Sequence, residues 1–253
     1  MSLFATESGH WYTRDGEPAY EVEASSGKGL RPTTLRDARK LNLVPSVTSI
    51  LKVAAKPGLE IWKQTQIIHA ALTLPRLPNE SEEDFAKRVV QDSQEQAKKA
   101  REKGSEIHGY IEHHFKGGSV PAEYKVVVNE VESQLSLLGL KGPWSVEKSF
   151  SSPFGYGGKI DLHSDDVVID FKTKENWTDS TKLAYDEHGM QLAAYSMGAC
   201  VFPVGRINIF VSTQELGKTH AEVWSDESFD RHWQMFRSLL RYWQISNKME
   251  VES

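Results

Sequence analysis

The stretch KIDLHSDDVVIDFK, residues 159–172, decides how the chain reads. Asp165-Asp166 at its centre suits a two-residue hairpin turn. With Ser164 opposite Val167, counting outward sets Asp161 directly opposite Asp170. Strand side chains alternate between faces. Ile160, Leu162, Val167, Ile169 and Phe171 therefore form one apolar face, which reads as core. Lys159, Asp161, His163, Val168, Asp170 and Lys172 form the other. Opposed residues have Cβ atoms ~4.5–5.5 Å apart, and like charges there are destabilising. Lys172 on the same face compensates in part. Mg²⁺ or Mn²⁺, which favour carboxylate oxygens, would compensate better. The same pattern also fits an amphipathic hairpin with a solvated polar face.

Around this hairpin the chain divides in two. After residue 144 short strand-like segments dominate: 145–150, 159–164, 167–174, 206–212 and 220–224, with a helix over 183–198 after the third. A last helix starts near Asp226. Its apolar residues Phe229, Trp233, Phe236, Leu240 and Trp243 recur every three or four positions, the spacing of one packed helix face. Glu147 lies on the first of these strands and shares the polar face if the intervening turn keeps register. Gln191 and Tyr195, four apart, share a helix face.

Before residue 144 the chain reads as mostly helical. Asp15-Gly16 predicts a leading β-hairpin of residues 10–14 and 17–22. A flexible loop is expected at residues 25–29. Ser46 suits the cap of a short helix reaching residue 55, broken by Pro57-Gly58 before a helix over 59–72. A charged helix is expected over 81–115, with Gly104 as a possible interruption and Gly117-Gly118 as its end, and another over 121–138. The charged helix carries the densest basic cluster, Lys98, Lys99, Arg101 and Lys103, just ahead of His108. The cluster could meet a phosphate backbone. Interspersed Glu95, Glu102 and Glu106 equally describe a solvated face.

Composition narrows the chemistry. Among 253 residues, 30 Lys and Arg stand against 35 Asp and Glu, so any nucleic-acid site must be a local patch. The single cysteine, Cys200, excludes an intrachain disulfide framework and a four-cysteine zinc site, and reads as a small buried residue. No apolar run approaches the ~18 residues of a membrane span, and the first residues show no targeting pattern, so a cytoplasmic setting is expected.

Taken in order, His108, Glu147, GKIDL at 158–162 with Asp161, VIDFKTK at 168–174 with Asp170 and Lys172, and QLAAY at 191–195 resemble the RecB-like branch of the PD-(D/E)XK nuclease superfamily. PSVTSIL at 45–51 and IWKQ at 61–64 extend the likeness to the group of the mitochondrial genome maintenance exonuclease. The transit peptide of that group is not seen, which favours a phage or bacterial relative serving DNA recombination or repair. The resemblance implies an α/β fold with a restriction-endonuclease-like mixed sheet core flanked by helices. A single nuclease domain over 1–253 would comprise an N-terminal hairpin and loop (1–44), a helical elaboration (45–143) and the core (144–253). It implies a metal-dependent DNA exonuclease preferring single-stranded ends. The alternatives are a catalytically weak end-binding protein or an endonuclease of the same superfamily. Asp161, Asp170, the Phe171 carbonyl and His108 would hold Mg²⁺ or Mn²⁺. Glu147 would bind the metal, directly or through water, or stand aside. Lys172 would serve the attacking water and the scissile phosphate, and Gln191 and Tyr195 would position DNA or brace the site. The helices before the core would form a passage for a strand.

Overall fold

The computed structural model describes residues 10–24, 27–54, 57–201 and 205–250. The fold is mixed α/β. Its centre is a five-stranded sheet in the order β5-β6-β7-β8-β9: β5 Ser145–Ser152, β6 Tyr156–His163, β7 Val167–Lys174, β8 Gly205–Ser212 and β9 Thr219–Val223. β5, β6 and β7 run as an antiparallel meander. The sequence between β7 and β8 forms helix α6, Asp186–Gly198, so β8 returns parallel to β7. β9 pairs antiparallel on the far edge.

Helices cover both faces of the sheet. On one lie α2 (Val47–Leu51), α6 and α7 (Asp226–Ser246), enclosing Ile50, Phe150, Ile160, Val168, Leu192 and Phe236. The periodic aromatic stripe of α7 is this core. On the other lie α4 (Glu82–Phe115) and α5 (Lys125–Leu137), enclosing Ile107, Ile111, Val131, Leu162, Ile169 and Ile209. The single apolar face expected of the 159–172 hairpin is thus two half-faces. Ile160 packs with Val168 on the α6 side, while Leu162 packs on the α4 side. The reason lies on the neighbouring strand. Glu147 has φ of +55°, a conformation that rolls β5 over. Phe150 accordingly packs on the α6 side and Val146 on the α4 side.

The helical half departs from expectation in particulars. α4 runs unbroken through Gly104, because the glycine makes room for β7: a Cβ there would meet Thr173 Oγ1 at 2.5 Å. Pro57 opens helix α3 (Pro57–Thr73) instead of ending one, as proline does in a first turn. Several of its apolar residues, Ile68 and Leu72 among them, face solvent. Ser46 caps α2 as the sequence indicated, and Ser81 caps α4. α2 stops at Leu51; residues 55 and 56 and the loop residues 25–26 lie outside the described residues, as do 1–9.

The leading hairpin does not form as such. The Asp15-Gly16 turn is present, with Thr13 N–H donating to the Glu17 carbonyl at 2.8 Å. Beyond it the two arms share a bridge at Tyr12 and Pro18, where Ala19 N–H donates to the Trp11 carbonyl at 2.8 Å, and the ladder between them goes no further. β1 (Trp11–Tyr12) pairs with β4 (Val44–Pro45), and β2 (Glu21–Glu23) pairs with β3 (Leu30–Pro32). A short helix, α1 (Leu35–Lys40), joins β3 to β4. Cys200 is exposed, at φ of +53° just past the end of α6, and is not a core residue. Among the described residues no helix is long and apolar enough to cross a membrane.

Candidate active site

The β6–β7 hairpin pairs only near its turn. Ser164 N–H donates to the Val167 carbonyl at 3.0 Å, and the ladder records His163 opposite Val168 and Leu162 opposite Ile169. Continued by one step, this register sets Asp161 opposite Asp170, as counted from the sequence. The strands do not pair there. Phe171 N–H instead donates to Asp161 Oδ2 at 2.8 Å. A side chain thus replaces a main-chain acceptor and wedges the strands apart.

Glu147 enters from β5. Val146 pairs with Leu162 and Lys148 with Ile160, so Glu147 falls opposite Asp161. Its left-handed backbone is the kind of strain, of order 1–3 kcal/mol, that persists where surrounding structure over-determines it. Its carboxylate pairs with Lys159. His108, one turn beyond the Gly104 contact on α4, reaches across so that Nε2 lies 3.0 Å from Asp161 Oδ2. The three residues His108, Glu147 and Asp161 each offer a ligand atom, all within 4.8 Å of one another.

Asp170 belongs to a different set of partners. It is buried and faces α6. Lys172 Nζ lies 2.9 Å from its Oδ1 and 2.7 Å from its Oδ2. Gln191 Nε2 donates to Oδ1 at 2.8 Å, and Asn208 Nδ2 donates to Oδ2 at 2.7 Å. Lys172 also donates to Gln191 Oε1 at 2.9 Å, and Gln191 reaches the Tyr195 hydroxyl at 2.8 Å. Gln191 and Tyr195 therefore brace the carboxylate and the lysine from beneath.

The electrostatics separate the two aspartates. Burial pushes the Asp170 carboxyl up to about 6, with the charge of Asp161 adding and Lys172 opposing. Burial also works against ionisation of Asp161, but His108, Lys172 and the Phe171 N–H overcome it and hold the group below its ordinary value. For His108, burial disfavours the charged ring. The hydrogen bond to Asp161 and the carboxylates around it outweigh that and raise it to about 9. The carboxylates of Glu147, Asp161 and Asp170 thus stand against Lys159, Lys172 and a protonated His108 imidazole. A divalent cation fits the same donors: one imidazole nitrogen with carboxylate oxygens is a set that Mg²⁺ and, more readily, Mn²⁺ accept.

The basic cluster is dispersed by its helix. Arg101 lies about two turns before His108 and shares its side of α4, whereas Lys99 lies about two and a half turns before it and points away. Lys98 reaches Glu102 at 3.7 Å. Lys103 is held by the Tyr124 hydroxyl and by Glu106 at 3.1 Å. His114 turns to Glu132 at 2.9 Å, away from the site.

Several residues of the site were not singled out from sequence. Asn208 is fully buried on β8, and its Oδ1 accepts from Trp224 Nε1 at 2.8 Å, which fixes the amide that meets Asp170. The signal was a lone amide within the apolar run INIFV at 207–211. His10, Tyr12, Tyr20, Ser46 and Thr48 line the cavity above the carboxylates. Burial and the charges of Lys52 and Lys159 pull the His10 imidazole below its ordinary value.

No protein-family model matches the chain, and no curated protein matches it. Among solved structures, it is similar to a candidate exonuclease from Eubacterium rectale, 14% identical, over 59% of this chain and 69% of that one, with a TM-score of 0.39. It is also similar to the protein SSO0001, 16% identical, over 44% of this chain and 58% of that one, with a TM-score of 0.26.

Proposed function

We propose that the chain is a metal-dependent deoxyribonuclease, an exonuclease that hydrolyses phosphodiester bonds at single-stranded DNA ends. The observation that carries this reading is one cavity lined by His108, Asp161, Asp170 and Lys172, with a Glu147 ligand atom within 4.8 Å of those of His108 and Asp161. His108, Asp161 and Glu147 would hold Mg²⁺ or Mn²⁺, with Asp170 and the Phe171 carbonyl completing the set. When bound, the cation lowers the pKa of water and offsets charge on phosphate oxygens.

The chain's own residues supply the rest. Lys172, fixed by Asp170 and Gln191, presents an ammonium that orients the attacking water and stabilises charge on the scissile phosphate. Gln191 holds Asp170 and Lys172 at a set separation, and the Tyr195 hydroxyl holds Gln191. Arg101, with Lys98 beside it, would meet the backbone of the strand along α4; Lys99 and Lys103 complete the basic cluster. The core of 144–253 carries the chemistry together with His108 from the helical region of 45–143, and that region guides the strand within one domain.

Digestion of matched linear and closed circular single strands, each with Mg²⁺, Mn²⁺ or EDTA, tests the reading. Linear DNA should be lost only with metal, and the circle should survive. Loss of the circle would make the protein an endonuclease. Binding of linear strands with no cleavage in either metal would make it an end-binding protein.

A further inference from the structure

The N-terminal segment lines the same cavity as the carboxylates, and its chemistry differs from theirs. The cavity, about 340 Å³, is lined by Asp161, Asp170 and Lys172 and also by His10, Tyr12 and Tyr20. The His10 and Tyr20 rings are stacked, with centroids 4.6 Å apart and planes 26° from parallel. Tyr12 meets Tyr20 edge-on at 5.6 Å, and their hydroxyls are 2.7 Å apart.

This wall is anchored. β1 pairs with β4, and the His10 carbonyl accepts from Ser46 N–H at 2.9 Å. Tyr12 lies directly on the sheet at Gly157: a Cβ there would sit 2.9 Å from Tyr12 Cβ and 2.8 Å from the Phe150 carbonyl oxygen. Only glycine lets the segment approach so closely. A stacking platform held in this way loses little freedom when a ligand docks.

From this arrangement we infer that His10 and Tyr20 form the stacking subsite for the terminal base of a single strand whose phosphate faces Lys172. The inference rests on the proposed nuclease reading and adds to it the residues that select the substrate. The charged lining of the cavity suits a phosphate and its cation. The aromatic lining offers the rings of His10 and Tyr20, and any base stacks on a π face. A ligand that satisfies both is a nucleotide. The cavity lies at the small end of the ~300–1,000 Å³ range of small-molecule pockets, room for one nucleotide. A base stacked there has left its pairing partner, so the end that enters is single-stranded or frayed.

The test is binding of an internally labelled twelve-nucleotide oligothymidylate, followed by anisotropy, with Ca²⁺ replacing Mg²⁺. Two further strands lack the base of the 5′- or 3′-terminal nucleotide. Tyr20→Ala should weaken binding of the intact strand about tenfold, within the range seen for removal of a stacking aromatic. Tyr20→Phe should stay within about twofold of wild type, because it keeps the ring. The wild type should bind one of the two abasic strands about tenfold more weakly, and Tyr20→Ala should show no further loss on that strand. His10→Ala, at an exposed position, should fall between, and it carries the test if Tyr20→Ala does not fold. Unchanged affinity in the alanine variants, or equal losses on intact and abasic strands, would overturn the subsite. If those results came with metal-dependent digestion, the nuclease reading would stand without the subsite. Base-dependent binding without digestion in Mg²⁺ or Mn²⁺ would sink the nuclease reading and keep the subsite.

Discussion

The two ends of the β6–β7 hairpin are built from the same strands and behave differently. At the turn end, main chain pairs with main chain, and Leu162 and Ile169 bury their side chains among apolar neighbours. At the other end, Asp161 takes the Phe171 N–H that a strand would have taken, and the strands part around two carboxylates. The turn end spends its polar groups on the fold. The open end leaves its carboxylates with partners that can be exchanged: an imidazole, a lysine and amides. The proposed function is placed at the open end for that reason, because such an end costs stability that the surrounding layers must supply.

The largest expected effect breaks the open end and spares the turn. Lys172→Ala should lower the cleavage rate by about 10²–10³-fold, the scale of losing one donor to developing charge. Asp165→Asn with Asp166→Asn, both exposed in the turn, should leave the rate unchanged and stability within ~0.5 kcal/mol. Single-turnover digestion and thermal melts of both variants decide it. A turn variant as damaged as Lys172→Ala would erase the contrast.

Asn208→Ala tests whether the open end depends on the layer beneath it. It removes one of the partners of Asp170 Oδ2 and leaves Trp224 Nε1 without Asn208. A loss of about 1–3 kcal/mol is expected, with kcat falling more than KM. A loss of stability with untouched kcat would reduce Asn208 to packing.

Glu147→Gly sharpens the comparison by separating stability from metal use. Glycine accepts φ of +55° without strain and removes a carboxylate from the cluster. Melting in EDTA should rise, while the further rise produced by Mn²⁺ should shrink. If the Mn²⁺ increment is unchanged, Glu147 is not a ligand.

His108 gives the pH dependence. Its folded pKa, about 9, exceeds the ordinary 6.5, so the folded state binds the proton more tightly than the unfolded one. The stabilisation is complete below 6.5 and is lost as pH rises towards 9. In EDTA the melting temperature should decline across that window in wild type and stay flatter in His108→Ala. Equal slopes would remove the His108–Asp161 pair from the account. The smallest effect concerns the basic cluster. Arg101→Ala should carry most of the change in salt dependence shown by a Lys98, Lys99 and Arg101 triple variant, a slope change of ~0.7 per lost contact on single strands.

The sequence was most legible where one local rule decided. The Asp165-Asp166 turn set the register, and the α7 stripe marked its buried face. Ser46 was a cap by residue type and context. Legibility ended where tertiary contacts overrode local rules. Nothing local shows that Glu147 adopts a left-handed backbone and rolls two strands, which is why Ile160 and Leu162 were assigned one face and occupy two. Gly104 read as a helix breaker because Thr173 lies far away in sequence. The N-terminal wall was hidden because β1 pairs with residues some thirty positions on, and only folding brings Tyr20 into the cavity that Lys172 lines. Asn208 was visible as an oddity in an apolar strand, but its partner Asp170 was not.

The most direct test of the central claim is digestion of an end-labelled linear single strand in Mg²⁺ by wild type and Asp170→Asn side by side, with both proteins shown to be folded. Wild type should shorten the strand from an end, and Asp170→Asn should leave it intact while still binding it. Near-wild-type turnover by Asp170→Asn would contradict the assignment of the open end of the hairpin as the catalytic centre.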